Sequence, residues 1–391
     1  MAVESGLDRV AAGDPEALGL LAGRRLGLLA HPASVDRRLR HATRVLSERG
    51  CCIEVLFGPE HGYGGEAQDM IAVGSESAQA GPAVYSLYGD SEEDLYPRAE
   101  WLSGLDAIVV DLQDVGSRYY TYVWTAVCVL ERAAAAGVQT IVLDRPNPLG
   151  GEIVEGEAQR PGYRSFVGLR DVAVRHGMTI GEICSMAARE DGLAPDALTV
   201  VTMKGWRREM SWEASGLPWV LPSPNMPTPD TARVYPGGCL LEGTALSEGR
   251  GSTRPFEILG APGVDGHALA AALPLEGATL RPLSFSPTFH KHARKRCGGV
   301  QVHVTDARRF RSYAAYLQIL ATLRQLAPEA MGWRQEAYEF VRDRPAIDLL
   351  TGGPEFREAV DAGEEIAPLL SREQAGAQAF AERRRRDLLY R

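Results

Sequence analysis

Ala107-Ile108-Val109-Val110-Asp111-Leu112-Gln113-Asp114 is the stretch that decides the fold. Its apolar residues follow one another without polar alternation, the pattern of a strand buried on both faces of a helix-covered parallel sheet. Acidic and amide groups come directly after the run, at what would be the carboxyl end of the strand, where open α/β sheets bind ligands. Similar apolar runs lie at 25–30, 53–57, 140–143 and 198–203. Between them, amphipathic segments at 36–49, 92–103, 117–136 and 179–190 read as helices, the last opening with Thr179 and Glu182 in capping-box spacing. The alternation predicts an α/β domain built on a Rossmann-like, mainly parallel sheet.

The texture changes further on. Residues 210–262 are rich in proline and glycine, with Leu-Pro-Ser-Pro-Asn-Met-Pro-Thr-Pro at 221–229, and read as ordered loop because proline fixes φ and removes a donor. Val300, Val302 and Val304 alternate with polar residues in strand period. A helix is predicted over 307–326, with Phe310, Tyr313, Leu317 and Leu320 on one face, and two more near 354–361 and 371–389. The division predicted is a Rossmann-like domain over 1–257 and a smaller α+β domain over 258–391 that completes a cleft.

Composition narrows the function classes. A chain of 391 residues with 45% hydrophobic content can bury a full core, and a net charge of −9 argues against a sequence-independent hold on nucleic acid. The arginine run at 383–386 closes a helical segment and reads as a solvated helix end complementing the dipole. Six scattered cysteines without a C-x-x-C pair read as free thiols. No apolar run approaches the ~20 residues of a membrane span. The opening Met-Ala-Val-Glu-Ser-Gly has no basic region before an apolar one, which points to the cytoplasm, with an exported form that has lost its signal as the alternative. The first β-α turn, Leu-Ala-His-Pro-Ala-Ser-Val-Asp at 29–36, lacks the dinucleotide fingerprint, and the Walker A, G-x-S-x-G and H-E-x-x-H patterns do not occur. His290 and His292 sit among Lys291, Arg294 and Lys295, a poor setting for a cation, so no metal is expected.

The strand-end segments hold acids, amides, guanidiniums and aromatics, the groups that hydrolysis of a sugar linkage requires. Glu60, after Pro59 and flanked by glycines, is the first choice for an acid. His61 is placed to orient it or to bind a hydroxyl. The second carboxylate is sought among Glu248, Asp114 and Asp111. Glu248 lies beside Arg250, whose charge would keep it ionised as a base or stabiliser. Asp111 and Asp144 read more readily as carboxylates that hold neighbouring loops. Arg118, Arg145, Arg250 and Arg254 offer planar forks for a ligand carboxylate. Gln113, Asn147 and Asn225 supply amides, and among Tyr119, Tyr120, Tyr122 and Trp124 one or two rings, Tyr120 foremost, could floor a sugar.

Four segments carry a resemblance. Gly-Pro-Glu-His-Gly at 58–62, Asp-Leu-Gln-Asp-Val-Gly-Ser-Arg-Tyr-Tyr-Thr-Tyr at 111–122, Leu-Asp-Arg-Pro-Asn-Pro-Leu-Gly-Gly at 143–151 and Ser-Glu-Gly-Arg-Gly-Ser-Thr-Arg-Pro-Phe-Glu at 247–257 resemble the NamZ family of exo-β-N-acetylmuramidases, formerly a domain of unknown function. Shorter matches at 165–169, 175–182 and 222–228 extend the likeness from about 24 to 260 in detail, and more loosely to the C-terminus. The resemblance implies a Rossmann-like domain joined to a smaller C-terminal one with the active site between them. It also implies removal of terminal non-reducing N-acetylmuramic acid from peptidoglycan-derived saccharides, without metal or organic cofactor, and Glu60 as the acid. Muramic acid carries a lactyl carboxylate, for which the arginines are natural partners. One departure stands out: after Gly-Pro-Glu-His-Gly the family pattern is expected to read aromatic-Arg-Gly-acid, whereas this chain has Tyr63-Gly64-Gly65-Glu66. That change leaves room for a hydrolase of another amino-sugar glycoside. A saccharide-binding protein without catalysis is the reading from a different class.

Overall fold

A computed structural model of the chain describes residues 3–68, 71 and 81–391. Strands β1 (Arg25–Ala30), β2 (Cys52–Gly58), β3 (Ala83–Ser86), β4 (Ala107–Asp111), β5 (Gln139–Leu143) and β6 (Leu198–Val201) form one sheet in the order β3-β2-β1-β4-β5-β6. Every pairing in it is parallel. Strand β4 is buried along its whole length between β1 (Leu28 opposite Val109) and β5 (Val109 opposite Ile141), as its unbroken apolar run predicts. Strand β3 was not foreseen: its four residues are half-buried at the sheet edge and carry little pattern.

Helices cover both faces. On one, Leu7 of helix Gly6–Ala12 and Val45 and Leu46 of helix Ala42–Glu48 pack with Leu26, Leu28 and Val109. On the other, helices Tyr122–Ala135 and Ile180–Glu190 pack together. The capping box of the latter is present, with Thr179 Oγ1 accepting from Glu182 N at 3.2 Å and Glu182 Oε2 accepting from Thr179 N at 3.1 Å. The helix predicted over 36–49 starts only at Ala42, because the Asp36 carboxylate takes the N–H groups of Arg38 and Arg40 at 2.9 Å each and holds a turn there. The one predicted over 92–103 is split into Glu92–Leu95 and Ala99–Leu102. Pro97 forces Tyr96 into extended backbone (φ −106°, ψ 138°) between the two pieces.

The second unit carries an antiparallel sheet, β7 (Ile258–Ala261), β9 (Cys297–Val304) and β8 (Ala278–Phe285) in that spatial order. Helices Ser312–Leu326, Ala346–Thr351, Glu355–Ala362 and Ala367–Arg383 complete it. Two expectations are corrected here. The stretch 210–262 is not loop throughout: helix Pro229–Gly238 forms inside it, with Pro229 at the first position and Thr228 Oγ1 accepting from Thr231 N at 3.3 Å, and it packs on helix Ser312–Leu326. The run 383–386 is not wholly solvated either. Arg384 is buried and donates to His176 O at 2.9 Å, to Gly151 O at 2.7 Å and to Gly177 O, tying the C-terminal segment to the parallel-sheet unit. All six cysteines are free thiols.

Candidate functional site

Strand β2 delivers Glu60 to the sheet's carboxyl rim. The chain doubles back immediately, so closely that a Cβ on Gly58 would lie 2.4 Å from Tyr63 N, and it passes through left-handed backbone at His61 (φ 70°) and Gly62 (φ 81°). The Glu60 side chain is thereby directed at the turn following β4. There Thr121 Oγ1 donates to Glu60 Oε2 at 2.7 Å, and both residues are buried. Tyr122 OH donates to Pro222 O at 2.8 Å and lies 3.4 Å from Glu60 O. His61 Nδ1 donates to Ala67 O at 2.8 Å, which fixes the tautomer of the neutral ring with Nε2 as acceptor.

A narrow cleft with a free volume of about 40 Å³ opens beside this carboxylate. The parallel-sheet unit lines it with Glu60, His61, Tyr119, Tyr120, Thr121, Tyr122 and Val167, followed by Ser223, Asn225 and Met226; the rest of the wall is Tyr235, Glu242, Arg250, Phe256, Tyr338 and Glu339. Asn225 Nδ2 donates to Gln68 Oε1 at 2.9 Å. Burial pushes the Tyr120 and Tyr122 phenols well above their ordinary range, so both act as neutral hydroxyls and ring faces.

Charge in the cleft is arranged around Arg250. Its guanidinium lies 2.5 Å from Glu242 Oε1, 3.2 Å from Glu248 Oε1 and 5.1 Å from the centre of the Phe256 ring. Glu242 also accepts from Tyr338 OH at 2.7 Å. Glu248 is fully buried behind Arg250 and does not line the cleft. Burial raises its pKa, but Lys291 Nζ at 3.0 Å, His290 Nδ1 at 2.9 Å and Arg250 outweigh burial and hold the carboxyl well below the usual carboxylate range. Glu339 has left-handed backbone (φ 44°), and its Oε2 accepts from Tyr88 OH at 3.2 Å.

The remaining candidates lie away from this cleft. Asp114 accepts from Gly116 N at 2.7 Å and faces His176 Nε2 at 3.3 Å. Gln113 Nε2 spans Asp114 O and Pro146 O at 2.8 and 3.0 Å. Arg118 is fully buried and its donors go to main-chain carbonyls: Glu157 O at 2.9 Å, Val172 O at 3.1 Å and Leu350 O at 2.7 Å. Asn147 accepts from Leu149 N and donates to Met178 O, both at 2.9 Å. Arg254 is exposed and pairs with Glu257 at 3.6 Å. Arg145 forks onto both oxygens of Asp111 at 2.5 and 2.8 Å. This pair, with the His31 ring between Pro222 O and Gln113 N, fills the crevice beyond β1 and β4 where doubly wound folds hold nucleotides. Burial pushes His31 down to about 3, so it is neutral there.

Sequence reasoning missed Thr121, Glu242, Tyr338 and Glu339. Only Thr121 follows a strand of the parallel sheet, inside a segment already singled out for its tyrosines. The other three lie at no strand end of that sheet, and no local motif marks them.

Comparison with known proteins agrees with this architecture. The family model for the N-terminal region of the exo-β-N-acetylmuramidase NamZ matches residues 26–230, and that for its C-terminal region matches 233–390. The chain is 40% identical over 393 aligned residues, covering 99% of its own length and 91% of the relative's, to the peptidoglycan β-N-acetylmuramidase NamZ of Bacillus subtilis (strain 168). A crystal structure of a DUF1343 family protein from Bacteroides fragilis NCTC 9343 superposes with a TM-score of 0.88 at 30% identity, covering 100% of this chain and 99% of that one. A second DUF1343 protein of that organism shares the fold, at a TM-score of 0.75, 24% identity and the same coverage. With both family models matched along nearly its whole length, the chain belongs to the NamZ family of exo-β-N-acetylmuramidases.

Proposed function

We propose that this protein is a glycosidase that releases terminal non-reducing N-acetylmuramic acid from peptidoglycan-derived saccharides, with Glu60 as the general acid. The observation that carries the assignment of the acid is the Glu60 carboxyl in an aromatic-lined cleft, its Oε2 engaged by the Thr121 hydroxyl. In this role the carboxyl gives its proton to the glycosidic oxygen as that oxygen's bond to the anomeric carbon breaks. The tyrosine faces of the cleft pack on the sugar ring, and the His61 and Asn225 side chains bind its hydroxyl and acetamido groups. Arg250, clamped by Glu242 and Glu248, meets the lactyl carboxylate; in this reading Glu248 holds that cation in place without touching the sugar. No helix among the described residues is long and apolar enough to cross a membrane.

The test compares chromogenic glycosides of N-acetylmuramic acid and N-acetylglucosamine. The protein is expected to cleave the first and to discriminate strongly against the second. Glu60→Gln, still folded by circular dichroism, is expected to lose roughly 10²–10⁴-fold in kcat on a natural disaccharide, the usual contribution of a general acid. Undiminished turnover by that variant would remove Glu60 from the role. Arg250→Lys is expected to raise KM for the muramic acid glycoside alone.

A further inference from the structure

An acidic sugar meets an electrostatic problem in this cleft. Among the described residues that line it, Glu60, Glu242 and Glu339 carry carboxyls, and Arg250 carries the one guanidinium. Arg250 itself lies between Glu242 at 2.5 Å and Glu248 at 3.2 Å. Two carboxylates around one guanidinium leave a negative charge in excess, which would repel the carboxylate of an arriving muramic acid. The compensating charge stands behind the wall. The loop 286–296 between β8 and β9 brings Lys291 Nζ to 3.0 Å from Glu248 Oε2, and the same ammonium donates to Leu241 O at 2.8 Å and Leu246 O at 3.2 Å. His290 Nδ1 lies 2.9 Å from Glu248 Oε1. Lys291 therefore neutralises the cluster without itself lining the cleft.

The loop is held firmly around that ammonium. His290 (φ 67°), His292 (φ 56°) and Arg294 (φ 63°) have left-handed backbone without being glycine, a conformation that persists where the surroundings over-determine it. Thr288 N and Oγ1 both donate to Gly251 O at 2.9 Å, and His292 Nε2 donates to Ala245 O at 2.8 Å. These bonds fix the loop along 241–251, the segment that carries both Glu242 and Arg250. Resting on the muramidase reading above and on Arg250 as the partner of the lactyl group, we propose that Lys291 is a positioning residue that sets specificity for an acidic sugar. By pairing with Glu248 it lets the Arg250 guanidinium exert a net attraction on the substrate carboxylate. The basic surroundings that make His290 and His292 poor ligands for a cation serve here to neutralise a buried acid.

Steady-state kinetics on chromogenic glycosides of N-acetylmuramic acid and N-acetylglucosamine test this. Lys291→Met is expected to raise KM for the muramic acid glycoside at least tenfold, with kcat within threefold of the parent. Its kcat/KM for the glucosamine glycoside is expected to stay within threefold. Adding Glu248→Gln to Lys291→Met removes the uncompensated carboxylate and is expected to bring KM for the muramic acid glycoside back to within threefold of the parent. A smaller rise in the single variant overturns the proposal, as does an equal loss on both glycosides or a double variant that stays more than threefold above the parent. Should Lys291→Met fail to fold, Glu248→Gln alone keeps an acceptor for Arg250 and leaves Lys291 on its two carbonyls. KM for the muramic acid glycoside is then expected to fall at least twofold, and an unchanged or higher value overturns the proposal. Arg250→Lys separates the two failures. A normal KM in that variant beside a raised one in Lys291→Met refutes Arg250 as the partner and this proposal with it, whereas the reverse pattern refutes Lys291 alone. If the parent cleaves neither glycoside, the muramidase reading fails, and calorimetric binding of free N-acetylmuramic acid and N-acetylglucosamine decides Lys291 by the same ratios.

Discussion

The Thr121 hydroxyl donates to Glu60 Oε2 at 2.7 Å, from the residue immediately before helix Tyr122–Ala135. One bond thus ties the turn after β4 to the carboxyl after β2 that is proposed as the acid. Thr121→Val keeps the shape and removes the donor. Its kcat on a natural disaccharide is expected to fall about tenfold, or about 1.4 kcal/mol, near the upper end of the net contribution of an ordinary hydrogen bond, with KM nearly unchanged. Thr121→Ser restores the donor and most of the rate. A valine variant as fast as the parent would show that this bond positions nothing.

The parallel-sheet half was largely legible because its physics is local. Buried parallel strands need unbroken apolar runs, and β1, β4 and β5 announce themselves that way; β1 lies at the residues read from sequence. Helix Pro229–Gly238 was hidden by proline density, although Thr228 followed by Pro229 is itself a helix-start signal. In the cleft, Glu60 was legible as a strand-end residue. Glu242 and Glu339 were not, because they reach the cleft only through the tertiary packing of a second unit, on which strand-end reasoning is silent.

Buried carboxyls make stability depend on pH. Burial pushes Glu373 up to about 7 from 4.5, while Glu157 N donates to its Oε2 at 2.7 Å. The folded-state pKa lies above the unfolded one, so the native state binds the extra proton. Stability is then greatest below about 4.5, as far as this group is concerned, and is lost as pH rises through 7, by about 3 kcal/mol in total at 1.36 kcal/mol per unit. Glu373→Gln keeps an acceptor for Glu157 N and cannot ionise. Urea unfolding is expected to show the variant equal to the parent at pH 5 and more stable at pH 8. An equal difference at both pH values would refute the linkage.

The C-terminal residues act as a clasp on the first unit. Tyr390 OH donates to Asp144 Oδ2 at 2.6 Å and accepts from Met203 N at 3.0 Å, while Leu389 N donates to Glu182 Oε1 at 2.8 Å. Tyr390→Phe leaves a buried N–H unpaired and takes one donor from Asp144. The expected cost is about 2–3 kcal/mol by urea denaturation, with kcat of the remaining folded protein unchanged, because none of these groups lines the cleft. Removal of 384–391 also takes away Arg384 and its carbonyl partners, and is expected to abolish soluble expression.

Arg118 separates a role read from sequence from the one its surroundings permit. As a strand-end arginine it resembles a ligand for a substrate carboxylate, yet its guanidinium is sealed among the carbonyls of Glu157, Val172 and Leu350, the last in helix Ala346–Thr351 of the second unit. Arg118→Ala would strand three buried acceptors at about 1–3 kcal/mol each, comparable with the whole stability of an ordinary domain, and is expected not to fold. Arg118→Lys retains a charge but only part of the fork, so it should fold with a melting temperature several degrees lower. Assayed well below that temperature, its KM for the muramic acid glycoside should equal the parent's, whereas a substrate-binding arginine would raise KM at least tenfold. A large rise in KM without loss of stability would return Arg118 to the binding site.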